Sequence, residues 1–297
     1  MRPLIFTLGG DPAPSDQHRS DDGALVVGAA TTRRELAPDE PYPQNEQEWF
    51  FDHCYGRVFT AREKLSASQW SGQIHRLDGL FNFERLLIDA GAGGGGVYVK
   101  RELMKTEQII NGVTKTVTPL CDQVDGPKLV TRGRFIVSMF GRGDPGVNAV
   151  WPDPSSQDST GKPTKSLAGD ELLKDALYSS YKDGIEHGVI GYPPDVDELL
   201  ATRRDEVLRW GEERMWALKV LDAGRKQLAN IMVETREKDG HQVQVFTSRG
   251  ARKFASLGKD DVALAMMYSY GAFLIWLRSG DWTAKMPEED SFGFAGR

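Results

Sequence analysis

Three acidic points in the 297-residue chain stand at the ends of apolar runs, where a buried element gives way to polar chain. Leu4-Ile5-Phe6-Thr7-Leu8 leads through Gly9-Gly10 into Asp11. Leu86-Leu87-Ile88 ends at Asp89 and passes directly into a glycine-rich stretch from Gly91 to Gly96. Far downstream, Lys259-Asp260-Asp261 opens a long apolar segment at Val262. Carboxylates gathered from separate elements are hard oxygen ligands of the kind that suit Mg²⁺ or Mn²⁺. Two such ions about 3.5–4 Å apart clamp the attacking and leaving oxygens of a phosphodiester. The chemistry open to these residues is metal-assisted cleavage, with Asp11, Asp89, Asp260 and Asp261 as ligands. Lys259 is placed to offset charge on the phosphate.

Each acid also has a purely structural reading. Asp11 before Pro12 suits a turn. Asp260 and Asp261 suit a helix N-terminus, as cap and first-turn acid. Asp89 is harder to dismiss, because an acid directly after three strand-like residues falls at the carboxyl edge of a sheet, where sites on α/β sheets gather. The glycine run can cradle a phosphate with backbone N–H groups, or let the following helix approach closely. No GxxxxGK[ST] pattern occurs in the chain. The order of the acids, on strand, strand and helix, favours one metal site over three separate structural roles.

The elements that must position these acids follow from periodicity. Leu4–Leu8 and Ala24–Ala30 predict two antiparallel strands, and Tyr55–Phe59 a third. Ser66 can cap a helix whose Ala67, Trp70, Ile74 and Leu77 share a face. Strand Leu86–Ile88 comes next, so the order is β-β-β-α-β. A helix over Val97–Leu103 and strands at Val113–Val117 and Phe135–Phe140 continue the pattern. Residues 141–165, rich in Pro, Gly, Ser and Asp, predict a mobile insertion or flap. A helix from about Gly169 to Tyr181 and an extended turn at 188–194 follow. Asp195 or Asp197 can cap a long helical region that reaches Ile231 and is open to breaks at Gly211 and Gly224. Gln242–Thr247 predicts a short strand. The last helix, Asp261 to Arg278, is apolar almost all round and belongs in the core. The chain divides into one domain over 1–282, with an insertion at about 141–195, and a disordered tail over 283–297.

Composition narrows the function. With 39% hydrophobic and 27% charged residues the chain reads as an ordinary globular protein. No stretch approaches the roughly 20 apolar residues of a membrane span, and no secretory signal opens the chain. Cys54 and Cys121 stand alone, without Cys/His spacing, which argues for inert thiols in a reducing compartment and against zinc. The net charge of −6 opposes binding to nucleic acid. Basic residues do cluster, at Lys128, Arg132, Arg134 and Arg142, and at Arg249, Arg252 and Lys253 just before Lys259. These are the candidate phosphate contacts, and the overall charge predicts weak, salt-sensitive binding.

The motifs resemble those of a known family. Asp11-Pro12-Ala13 after a strand, followed by Asp21-Asp22-Gly23-Ala24-Leu25-Val26-Val27-Gly28, resembles the opening of the nuclease domain of tailed-phage large terminases. Leu87-Ile88-Asp89-Ala90-Gly91 is similar to its second acidic motif. Lys259-Asp260-Asp261-Val262-Ala263-Leu264-Ala265 is similar to its closing one, although a His often stands near that motif where this chain has Lys259. The resemblance implies an RNase H/RuvC-like α/β fold, a mixed sheet flanked by helices with an inserted flap or hairpin. It implies two Mg²⁺ or Mn²⁺ ions on Asp11, Asp89 and the Asp260-Asp261 pair, and sequence-tolerant cutting of double-stranded DNA during genome packaging. The implied partners are DNA, a packaging ATPase domain or subunit, a small terminase and a portal, in the cytoplasm of an infected host cell. The family's N-terminal ATPase is not in this sequence, as in an excised nuclease domain or a split gene. Two other readings stay open: an actin/sugar-kinase-like phosphotransferase, which should carry a second glycine-rich loop, and a non-catalytic docking module for capsid or portal.

Overall fold

Alternation along the first strand decides what lies on each side of the sheet. In β1 (Leu4–Asp11) the residues Ile5, Thr7 and Gly9 turn to one face, and Phe6, Leu8 and Gly10 to the other. The computed structural model describes residues 1–12, 22–60, 63, 65–89, 95–120, 135–138, 173–191, 195–207, 209–229, 231–238, 241–247 and 261–279. Within these, residues 89, 95–97, 135–138, 173–176, 232–238, 241–247 and 278–279 are described by their backbone alone.

β1 pairs antiparallel with β2 (Gly23–Thr32), which pairs antiparallel with β3 (Trp49–Phe59). Helix α1 (Ala67–Phe81) leads to β4 (Arg85–Asp89), which runs parallel to β1. After α2 (Gly95–Leu103) and the hairpin β5 (Glu107–Ile110) and β6 (Val113–Thr116), β7 (Phe135–Ser138) joins parallel to β4. The sheet order is β3-β2-β1-β4-β7. Helices α3 (Leu173–Glu186), α4 (Val196–Thr202), α5 (Arg204–Val207) and α6 (Glu212–Leu228) follow. The hairpin β8 (Met232–Lys238) and β9 (His241–Thr247) and the final helix α7 (Asp261–Ser279) complete the described chain. This is the mixed sheet flanked by helices that the sequence predicts.

One face of the sheet is covered by α1 and α2. Ser66 and Gln69 close a reciprocal capping box, with side chain to backbone distances of 3.3 and 2.8 Å. Trp70, Ile74 and Leu77 then bury against Leu25, Val27, Leu86 and Ile88. The other face belongs to α7, which is buried nearly all round. Its Tyr270, Phe273 and Trp276 pack on Trp49 and Phe51, and each such burial contributes about 2 kcal/mol. Among the described residues no helix is long and apolar enough to cross a membrane.

Three specific contacts seat α7. The Thr7 hydroxyl donates to the Ser269 carbonyl at 2.8 Å. His53 Nε2 donates to the Met266 carbonyl at 3.2 Å, from a ring packed against Phe51 and Tyr181. Between them, Gly9 has no side chain, and a Cβ there would stand 2.0 Å from the Ala265 carbonyl oxygen and 2.3 Å from the Ser269 nitrogen. Helix and strand therefore touch backbone to backbone.

Several elements differ from expectation. β3 begins at Trp49, not Tyr55, because Cys54 is an extra residue in the β2–β3 register and breaks the alternation. β5 is a strand that the hydrophobic pattern does not reveal. Its turn, Asn111-Gly112 with φ of 53° and 78°, is the two-residue type that matches strand twist. Gly224 does not break a helix: it lies inside α6, where a Cβ would stand 2.5 Å from Met266 Sδ. The helical region instead breaks at Arg203 and Gly211, and gives way to β8 after Ile231. Asp195 caps α4, its Oδ1 accepting from Asp197 N at 2.9 Å. Val189 and Gly191 hydrogen-bond Phe51, so the extended turn lies along the β3 edge. The expected flap at 141–165 and the tail at 283–297 lie outside the described residues.

Gly9→Ala should destabilise the fold by about 3 kcal/mol, since neither backbone can retreat from the new methyl group. Urea unfolding measures this, and a loss under about 1 kcal/mol would show that α7 can shift. His53 gives a second expectation. Burial holds its imidazole down at about 4, below the ordinary 6.5, so the unfolded chain takes up a proton that the folded one refuses. Stability from the neutral ring is full above pH 6.5 and is lost as pH falls towards 4, on the order of 3 kcal/mol. The neighbouring Asp52, whose pKa burial raises, acts with the opposite sign. His53→Gln should flatten the urea midpoint between pH 7.5 and pH 4.5, and an unchanged slope would assign the acid sensitivity elsewhere.

Candidate functional site

The parallel pairing of β1 with β4 brings two of the predicted acids to one place. Gly10 is in register with Ile88, so one step further along both strands lie Asp11 and Asp89, the last residues of each. Neighbouring strands are about 4.8 Å apart, which sets the separation of these two backbones. On the far side Asp89 is in register with Ser138 of β7. Asp11 is half-buried and follows Thr7 and Gly9 in the alternation, which assigns it to the α7 face.

The third acid arrives along α7. The helix runs antiparallel to β1: Ser269 lies over Thr7, Ala265 over Gly9, and its start points to the carboxyl edge of the sheet. Asp261, the first helical residue, is four positions before Ala265, or about 6 Å along the axis. It is only 8% exposed. The next residue, Val262, packs in the same cluster as Ala24, and Ala24 is the register partner of Asp11. Strand end, strand end and helix start therefore converge on one edge. The positive end of the helix dipole favours negative charge there.

The first turn of α7 carries a bond with no signature in the sequence. Gln227 of α6 is buried, and its Oε1 accepts the Ala263 N–H at 3.0 Å. The first backbone N–H groups of a helix have no carbonyl within the helix. A side chain 36 residues away in sequence serves this one.

Other predicted site residues are not part of this description. Asp260, Lys259, Arg249, Arg252, Lys253, Lys128, Arg132 and Arg134 lie outside the described residues, as do Gly91 to Gly94. Among the described residues, no group of three or more His, Cys, Asp or Glu stands ready to hold a metal. The donor set at the edge does fit one by its chemistry, since Asp11, Asp89 and Asp261 supply carboxylate oxygens and no soft ligand.

An open cleft of about 970 Å³ lies beside the edge of β3, between α1 and α6, with Tyr55 and Trp216 on its walls. Val58 in this cleft is in register with Ala24, and so two strands from Asp11. Its cations Arg57, Arg76 and Lys219 are matched by Glu63, Glu212 and Glu213, and Arg76 pairs with Glu213 at 2.7 Å. That balance gives no net attraction for a phosphate backbone.

No family model and no curated protein matches this chain. Two solved structures are similar to it. One is the large terminase nuclease from the thermophilic phage G20c, at 12% identity over 90% of this chain and 81% of that one, with a TM-score of 0.38. The other is a mutant nuclease domain of the large terminase subunit of bacterial virus Sf6 with manganese, at 11% identity over 91% of this chain and 88% of that one, with a TM-score of 0.39.

Asp261→Asn should leave the melting temperature in EDTA unchanged or slightly raised, because it removes one negative charge from a crowded edge. A first-turn acid acting only as a cap would instead cost about 1 kcal/mol when replaced. Thermal melts of the two proteins in EDTA decide between them.

Proposed function

We propose that this chain is a divalent-metal-dependent endonuclease that cleaves double-stranded DNA, in the manner of the nuclease domain of a viral genome-packaging terminase. The observation that carries the reading is the convergence of Asp11, Asp89 and Asp261 on the carboxyl edge of parallel strands, at the mouth of a buried helix. The motif resemblance around each of the three acids supports it.

In this reading Asp11, Asp89 and the Asp260-Asp261 pair hold two Mg²⁺ or Mn²⁺ ions. When bound, such ions polarise the scissile phosphate and lower the pKa of an attacking water. The chain's own part is placement. β1 and β4 end side by side at Asp11 and Asp89, and α7 starts at Asp261 as a helix seated against Gly9. Lys259 stands beside the pair in sequence and offsets charge on the phosphate. Arg249, Arg252, Lys253, Lys128, Arg132 and Arg134 are the proposed DNA contacts, which position the duplex through its phosphates without reading bases. The proposed setting is a packaging complex in the host cytoplasm, with an ATPase domain or subunit, a small terminase and a portal as partners.

Supercoiled plasmid tests the proposal. Cleavage is expected with Mn²⁺ and with Mg²⁺, and none with Ca²⁺ or in EDTA, because Ca²⁺ accepts looser geometry. Asp11→Asn should lower the Mn²⁺-supported rate by about 100-fold or more while leaving the EDTA melting temperature in place. Activity in EDTA, or full activity of Asp11→Asn, would overturn it.

A further inference from the structure

We infer that Gln227 is a positioning residue for the acidic edge, fixing the first turn of α7, and with it Asp261, against the end of β1. The inference rests on the metal-dependent reading above. Its basis is a chain of contacts running from α6 to the site. Gln227 Oε1 holds the Ala263 N–H, two residues beyond Asp261, in a buried bond of 3.0 Å. One turn earlier on α6, Gly224 leaves room for that same part of α7: a Cβ there would stand 2.7 Å from Val262 Cγ1 and 2.5 Å from Met266 Sδ. Another turn back, Val220 and Leu221 join the cluster that contains Ala24, the register partner of Asp11. One helix thus grips both the turn that carries Asp261 and the strand beside Asp11.

The chemistry of an amide suits this place. The Ala263 N–H needs an acceptor, because leaving a buried donor unmade is costly. An acid could accept the same bond, but it would add negative charge next to Asp261 in a region already rich in carboxylates. A neutral amide oxygen satisfies the donor and leaves the charge at the edge to the metal-facing acids. Groups that hold the ligands of a metal, without touching it, typically change metal affinity by 10- to 100-fold when removed.

The test uses the full chain and Mn²⁺ itself as the probe. Melting temperature is followed in EDTA and across an Mn²⁺ titration, with plasmid cleavage alongside. Gln227→Met, which fills the space but cannot accept, should raise the Mn²⁺ concentration for half-maximal stabilisation about 10-fold. Gln227→Asn, one methylene shorter, should move it in the same direction and serves as the gentler variant if Gln227→Met does not fold. Gln227→Glu keeps an acceptor of full length but adds a negative charge, so its Mn²⁺ midpoint should be no weaker than the wild-type value while it melts lower in EDTA. A Gln227→Met or Gln227→Asn chain that melts lower in EDTA yet keeps the wild-type Mn²⁺ midpoint would show that Gln227 only supports the fold, and so would a Gln227→Glu midpoint as weak as that of Gln227→Met. A wild-type chain with no response to Mn²⁺ would instead overturn the metal reading, and the inference with it.

Discussion

The backbone of β1 and the backbone of α7 come into direct contact at Gly9, and most of the described architecture is arranged around that approach. Gly9 makes it possible by omission, since a methyl group would meet the Ala265 carbonyl. Thr7 and His53 then take α7 carbonyls on either side of that point, which fixes both the depth and the axial position of the helix. Gly224 of α6 makes room on an adjacent face of α7, where a Cβ would meet the Met266 and Val262 side chains, so two residues that lack side chains set where the helix lies. A helix seated this deeply must be apolar all round, as it is. Its one early acid, Asp261, can then lie only at the sheet edge where Asp11 and Asp89 end their strands.

The strand ends at Asp11 and Asp89 are legible in the sequence because each closes a short, strongly patterned element. Asp11 and Asp89 end runs of consecutive apolar residues, and a carboxylate after such a run can only be at a strand terminus. The buried character of α7 followed from the absence of any polar face. What the pattern hid has a physical cause in each case. The first half of β3 was lost because Cys54 shifts the alternation, so that Phe51 and His53 share a face with Gly56 and Val58. β5 carries only Gln108 and Ile110 inward, too few for a period, although Asn111-Gly112 was a readable turn signal. Gly224 was read as a breaker because glycine is a poor helix former, yet here tight packing between helices overrides that cost. Gln227 had no local signature at all, since its partner is brought close only by the tertiary fold.

Part of the charge on the described residues is settled by local pairs. Arg225 and Lys226 both contact the buried Asp222, and Arg225 also reaches Asp195. Arg76 and the Tyr55 hydroxyl meet on Glu213, and Arg34 pairs with Glu40. Hydrogen bonding from Arg34 and from the Ala37 amide holds the Glu40 carboxyl down at about 2. These are mostly exposed pairs of small energetic worth. They do engage several of the cations near α6.

The extra residue at Cys54 has a consequence for how this edge of the sheet can evolve. Below it, Gly56 and Val58 face α6 while Tyr55 and Arg57 face the α1 side; above it, Phe51 and His53 face α7. Deleting one residue between His53 and Gly56 would restore strict alternation and leave each half of the strand on its present face, removing only the local kink. The extra residue is therefore dispensable to the core pattern, and lineages descending from this chain can lose it without turning Arg57 into the α6 seam or His53 out of the core.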